Sequence, residues 1–491
     1  MKAKQALSLL LILSSLITAA SCGSEPPDDN MSLTDESTDE SSAPEETTIS
    51  DSLPSDLDFG GETFTMLVNG SVGAPEFFVD EQDGDVVNDA IYNRNARVSE
   101  RLNVNFKFIE EPGAFNERKT FAQRVSQSVL ANDSTYDAVA GYSMAIASLA
   151  ADNMLIDLNS MEYIDLAKPW WSQNLMSQSS VNGKLYFASG DISTTLTYMM
   201  YAMYFNKNIM AANNIEEPYD LVLDGKWTLD KLLELSTGVY QDLNGDGQKK
   251  VDDDLFGLET YAVYVDPYFY SCGLRTTELD ADGVPQISTL FGSEQTQALI
   301  EKLVNAFFAT NDCVISGYDS KELYKYFEQN RFMFSARAVQ YGVTNLRNAD
   351  FEYGILPMPK WDEAQEDYYT IASFPYSLYC IPLDAKDSDM SSAVLEALAS
   401  ESSKLITPAV FEVALKVKYS SDDKMAQMYD IIRASMTYDF GRVFTDNLDS
   451  LTYSMFRDSV VGENTNWAST YAKKEKTLQS KMDKLLEKFG D

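Results

Sequence analysis

TFTMLV at 63–68, DVVNDAIYNRNARVSERL at 85–102, VNFKF at 104–108, FNERKTFAQRVSQSVLA at 115–131 and DAVA at 137–140 alternate between two apolar periods. The first, third and fifth are short β-branched or aromatic runs and read as strands. The second sets Val87, Ile91, Val98 and Leu102 on one helical face, and the fourth does the same with Phe121, Val125 and Val129. Strand–helix alternation at this spacing predicts a parallel α/β sheet with crossover helices. Its strands should end in loops at Asn69-Gly70-Ser71 and Gly141-Tyr142-Ser143, the carboxyl ends where open α/β sheets bind ligands.

Outward from this lobe, Gly183–Phe187 reads as a short strand and Leu196–Asn206 (LTYMMYAMYFN) as a long buried one. Helical patterns dominate 207–330, with Thr228 as N-cap of a helix over 229–240. Residues 331–383 are strand-rich, including Phe332–Phe334, Phe351–Leu356 and Leu378–Pro382, and the chain is helical again from Ser391. No internal repeat is visible.

The start of the chain speaks of location. MKAKQALSLLLILSSLITAASC (1–22) has two lysines, an apolar run from about Ala6 to Ala20 and a small-residue exit, the pattern of a secretory signal and too short for a stable membrane span. Residues 23–58 hold twelve acidic residues and no Lys or Arg, a composition that cannot offset its ordering entropy. They are expected to form a disordered tether with a reach of about 30–36 Å.

The chain has 491 residues, 38 Lys+Arg against 76 Asp+Glu, and no histidine. That length is a soft prior for two or three domains. Without imidazole, Ser-His-Asp and Cys-His nucleophile systems and two-His zinc sites are excluded. The net charge of −38 repels phosphate backbones at long range, so nucleic acid is not expected as a partner.

Several segments together resemble the extracellular solute-binding lipoproteins of carbohydrate ABC importers, the maltose-binding-protein-like group. They are YDAVAGYSMAIASLAADNMLIDL (136–158), KPWWSQ (168–173), GKLYFASGDIS (183–193) and MYFNKNIM (203–210). They continue with PYDLVLDGKWTLDKLLEL (218–235), DFEYGILPMPKWDEAQEDYYT (350–370) and AVLEALASESSKLITPAVFEVALKVKYSSDD (393–423). Ala19-Ala20-Ser21-Cys22 is similar to a lipobox, with Ala19 where the pattern prefers Leu, which implies that Cys22 is the lipidated first residue after signal 1–21. The resemblance implies a two-lobed α/β type II periplasmic-binding-protein fold with a central cleft and hinge. It divides the chain into lobe 1 (59–192 plus 336–386) and lobe 2 (193–335 plus 387–491). It further implies a monomer on the outer face of the bacterial cell membrane, held there by the lipid alone, that hands its ligand to permease subunits.

Sugars present flat C–H faces edged by hydroxyls, so a sugar cleft needs aromatic platforms and planar polar groups. The candidates on expected cleft loops are Asn69, Tyr142, Trp170, Trp171, Asp191, Tyr376 and Trp361. Of the neighbouring tryptophans, one is expected to face the core and the other the ligand.

Residues 242–253 (DLNGDGQKKVDD) space oxygen ligands as a calcium loop of EF-hand or dockerin type does: Asp242, Asn244, Asp246, the Gln248 carbonyl and Asp253, with Gly247 at the sharp turn. A structural Ca²⁺ is expected, weakened by Asp253 in place of Glu and by Lys250 at position nine. Cys272, Cys313 and Cys380 leave two readings open, a Cys272–Cys313 disulfide permitted by export or three buried thiols. The function expected is capture of a sugar or oligosaccharide without chemistry. The rival readings are a carboxylate-dependent glycoside hydrolase and a glycan-capturing or sensory protein that works without a permease.

Overall fold

The alternating apolar runs pair into two sheets. A computed structural model describes residues 49–71, 75–317, 324–418 and 422–490. The signal 1–21, Cys22 and the tether as far as residue 48 lie outside the described residues.

In the first sheet, β1 (Glu62–Asn69) pairs in parallel with β2 (Val104–Glu111) and with β3 (Ala138–Tyr142). The order β11-β3-β1-β2 is completed by an antiparallel strand from far along the chain, β11 (Ser377–Cys380). Helix α1 (Val86–Leu102) connects β1 to β2, and α2 (Arg118–Ala131) connects β2 to β3. The Asp85 carboxylate caps α1 by accepting from the N–H groups of Val87 and Asn88. Period two sorts β1 between two apolar clusters: Phe64, Met66 and Val68 join one, and Leu67 the other.

The second sheet has the order β10-β4-β9-β5-β8, from β4 (Tyr201–Asn206), β5 (Phe256–Tyr261), β8 (Cys313–Ser316), β9 (Phe332–Ala338) and β10 (Tyr353–Leu356). β5 pairs in parallel with β8 and β9, whereas β4 is antiparallel to both its neighbours. A small hairpin, β6 (Thr277–Leu279) with β7 (Pro285–Ile287), lies outside both sheets. No helix among the described residues is long and apolar enough to cross a membrane.

The lobe boundaries need correction. β9 and β10 belong to the second sheet, so of residues 336–386 only β11 and its flanks return to the first. Conversely, helix Ser388–Pro408 packs on the first lobe, its Met390, Ala393, Val394 and Leu398 sharing a cluster with Phe64 and Val98. The reason is edge pairing: β10 finds the open edge of β4, in register from Tyr353↔Asn206 to Leu356↔Met203. Residues 49–58 are not free tether either. Arg101 clasps the Asp51 carboxylate through two 2.7 Å hydrogen bonds, and Leu53 is buried in the first lobe.

Three local readings also change. Leu196–Asn206 splits into helix Thr194–Tyr198, capped by the Ser193 hydroxyl, and β4. Gly183–Phe187 is not a strand: Asn182 at φ 52° and Gly183 at φ 73° form a turn closed by a bridge from Val181 to Lys184, and residues 185–187 run on irregularly. The helix capped by Thr228 stops at Ser236, just before Gly238 turns at φ 79°. Cys272, Cys313 and Cys380 are free and buried, so Cys272 and Cys313 are not joined. Burial pushes both of those thiols up to about 12, and the Cys380 thiol rises for the same reason.

Candidate ligand cleft

Two of the segments that join the lobes run side by side. Tyr201 N donates to Ile371 O at 3.0 Å and Ser373 N to Met199 O at 2.7 Å, an antiparallel contact centred on Met200 and Ala372. Next to it lies a cavity of about 540 Å³ walled by both lobes. The first lobe supplies Tyr142, at the carboxyl end of β3, and Phe115, which follows β2. The second supplies Tyr201 at the start of β4 and Val263 just beyond β5. Ser373, Phe374 and Pro375 come from a crossing segment, and Tyr453, Ser454, Arg457 and Asp458 from helix Leu451–Val461.

Three of the wall rings pack against cations. A guanidinium lies over each of three rings: Arg118 at 4.1 Å from the centroid of Phe115, Arg442 at 3.8 Å from Phe374 and Arg457 at 4.4 Å from Tyr453. These cations are themselves anchored. Arg118 bonds Asp446 at 2.8 and 3.0 Å. Arg457 donates to both oxygens of the buried Asp266, at 2.8 and 2.5 Å, and Arg442 donates to the same carboxylate at 3.0 Å. Burial opposes the Arg442 charge, but Asp266 more than offsets it and the guanidinium stays firmly protonated. Burial raises the Tyr142 and Tyr201 phenols above their ordinary range, so both remain neutral hydrogen-bonding groups. The cavity thus offers ring faces, phenol and serine hydroxyls, one guanidinium and one exposed carboxylate.

No protein-family model and no curated protein sequence matches this chain. Solved structures do. A cyclo/maltodextrin-binding protein complexed with maltotetraose superimposes with a TM-score of 0.58 at 12% identity, over 86% of this chain and 97% of that one. A cyclic α-maltosyl-1,6-maltose binding protein from Arthrobacter globiformis gives 0.57 at 13% identity, over 87% and 100%. UgpB from Mycobacterium tuberculosis, in complex with glycerophosphocholine, gives 0.54 at 16% identity, over 80% and 95%. The chain has the solute-binding-protein fold. In these terms β3 and β5 point their carboxyl ends into the interlobe cleft, where the cavity lies.

Of the residues singled out from sequence, the solute-binding fold brings Tyr142 to this cavity and Tyr376 beside it, buried against the Tyr438 ring at 6.3 Å. Trp170 and Trp171 are both buried, at 1% and 2% exposure, so neither neighbour is left over for a ligand. Their backbone lies inside the first lobe, where both sides are covered. The Trp171 indole donates to Glu396 Oε2 at 2.9 Å, and the chain passes against Gly190, where a Cβ would sit 2.0 Å from Trp170 O.

Asn69 turns its amide oxygen onto Ser71 N at 3.0 Å and lines a separate first-lobe cavity. Asp191 lies on a crossing, 3.8 Å from Arg433, and burial pushes its carboxyl up to about 6. Trp361 packs in the second lobe beneath Lys302, whose ammonium is 4.6 Å from the ring. Among the missed residues, Tyr453, Ser454, Arg457 and Asp458 share the i, i+4 face of one helix. That spacing was the available signal.

The loop 242–253 folds as consecutive Asx turns. Asp242 accepts from Gly245 N and Gly247 N at 2.8 Å, Asn244 from Asp246 N at 2.9 Å and Asp246 from Gln248 N at 2.8 Å. Lys250 holds Asp246 at 2.8 Å and stands 3.9 Å from Asp253. The inward-turned acid is Asp254, buried and accepting from Tyr240 Oη, Leu243 N and Lys250 N. Among the described residues no three Asp, Glu or Cys side chains are grouped to hold a metal.

Proposed function

We propose that this chain is the substrate-binding component of an ABC importer, which captures a sugar or oligosaccharide between its lobes and presents it to a permease on closure. The observation that carries this is the composition of the interlobe cavity: Phe115, Tyr142, Tyr201, Phe374 and Tyr453 with serine, guanidinium and carboxylate groups, drawn from both lobes and a crossing. Rings for C–H faces and planar polar groups for hydroxyls are what saccharide recognition requires. Two of the structural neighbours quoted above hold or are named for maltose-type saccharides, which supports the same ligand class. Because both lobes wall the cavity, a ligand there favours the closed arrangement by its differential affinity. The lining carries one carboxylate among the described residues, Asp458, whereas glycoside hydrolysis employs two, so binding without chemistry is the better reading.

The test is thermal unfolding against a panel of mono- and oligosaccharides. A ligand at 100 times its Kd adds about 2.7 kcal/mol and raises Tm by a few degrees. A selective rise supports the reading, and a flat response from folded protein overturns it.

Cys22 is proposed to carry the lipid that tethers this monomer to the outer face of the bacterial cell membrane, which an acylated N-terminal mass would support. Ca²⁺ is proposed as a weak structural ion of loop 242–253, entering as Lys250 leaves Asp246. The spacing supports it.

A further inference from the structure

The two crossings meet on one buried side chain, Glu76, which is 3% exposed. Its Oε1 accepts from the Ser193 hydroxyl, from the Thr195 hydroxyl at 2.6 Å and from Thr195 N at 3.4 Å. Its Oε2 accepts from the Ser377 hydroxyl at 2.9 Å. Ser193 and Thr195 lie where the chain leaves the first lobe, and Ser377 is where it returns as β11. Ser377 N also donates to Thr195 Oγ1 at 3.2 Å, so carboxylate and crossings form a closed ring of hydrogen bonds.

Behind Glu76 stands Arg94 of α1, fully buried. Its guanidinium donates to Phe77 O at 2.5 Å, to Ile192 O at 3.4 Å and to Ser402 Oγ at 3.3 Å, binding the residue after Glu76 and the residue before Ser193 to the first lobe. A buried carboxylate is costly unless its oxygens are satisfied, and here the satisfying groups come from two of the segments that join the lobes. Phe374 and Pro375 of the cavity wall lie three and two residues before Ser377.

We infer that Glu76 is a positioning residue for ligand binding: by holding these two crossings together at their first-lobe ends, it sets the angle between the lobes. Its bearing on affinity rests on the solute-binding reading, but the angle itself is measurable without ligand. Spin labels at Glu100→Cys on α1 and Glu234→Cys in helix Leu229–Ser236 report the interlobe distance by pulsed dipolar spectroscopy. The background is the full chain carrying Cys22→Ser. The buried Cys272, Cys313 and Cys380 do not compete for the label.

In ligand-free protein, Glu76→Gln and Ser377→Ala are expected to shift or broaden the distance distribution, the first more than the second. A residue that merely stabilised the first lobe would lower Tm and leave the distribution unmoved, and that result overturns the inference. If Glu76→Gln does not fold, Ser377→Ala, which removes one hydroxyl, decides by the same readout. No saccharide enters the measurement, so failure to find a sugar ligand overturns the binding reading alone.

Discussion

At the scale of single residues, chemistry and scaffolding are carried by different aromatics. Tyr453 has one face against Arg457 and lines the cavity. Tyr453→Ala is expected to weaken binding of a saccharide identified by the thermal screen roughly threefold to tenfold, since an aromatic contact contributes about 0.5–1.5 kcal/mol. Calorimetric titration checks this. Trp171→Phe should leave that affinity unchanged while lowering stability by about 1–3 kcal/mol, because it leaves the buried Glu396 oxygen without the indole N–H it accepts from.

Glu396 also gives a pH signature. Burial pushes its carboxyl up from 4.5 to about 7, against the pull of the Trp171 bond. The folded state therefore keeps a proton that the unfolded state has lost, and stability falls as pH rises from about 4.5 to about 7. Glu396→Gln should remove that part of the fall in a series of melting curves between pH 4.5 and 8.

At the scale of elements, close approach and loop chemistry decide. β1, α1, β2, α2 and β3 were all legible within a few residues, because each is set by its own apolar period and caps. The crossings were not. The run LTYMMYAMYFN looks uniformly strand-like, yet its first part is helical because the Ser193 hydroxyl caps Leu196 N at the turn between lobes. Gly190 belongs to the same crossing. Gly190→Ala would force a Cβ onto the Trp170 carbonyl and is expected to cost about 1–3 kcal/mol in denaturant unfolding.

In loop 242–253, the ammonium of Lys250 now neutralises Asp246. Ca²⁺ titration should raise Tm more in Lys250→Gln than in the parent chain. No rise in either protein would remove calcium from the account.

At the scale of the whole molecule, one apolar cluster runs through both sheets, from Leu67, Ile91 and Val139 to Phe205, Leu258 and Phe334. Residues 49–490 should therefore unfold in one cooperative transition despite their two lobes. Trp170 and Trp171 report on the first lobe and Trp227 and Trp467 on the second, so fluorescence and calorimetry should give coincident midpoints. Two separated transitions would contradict that core.

The strand–helix alternation, the net negative charge, the exclusion of imidazole chemistry and the carboxyl-end position of Tyr142 can all be read from the residues in order, because they depend on composition and on residues a few places apart. Tertiary structure alone decided which side chains meet in the cleft and which are covered. Trp171 is closed off by Glu396, 225 residues away, and Tyr142 shares its cavity with Tyr453 of a distant helix. Whether an aromatic ring is core or platform depends on what packs over it, and that is settled by chain crossings no local period records.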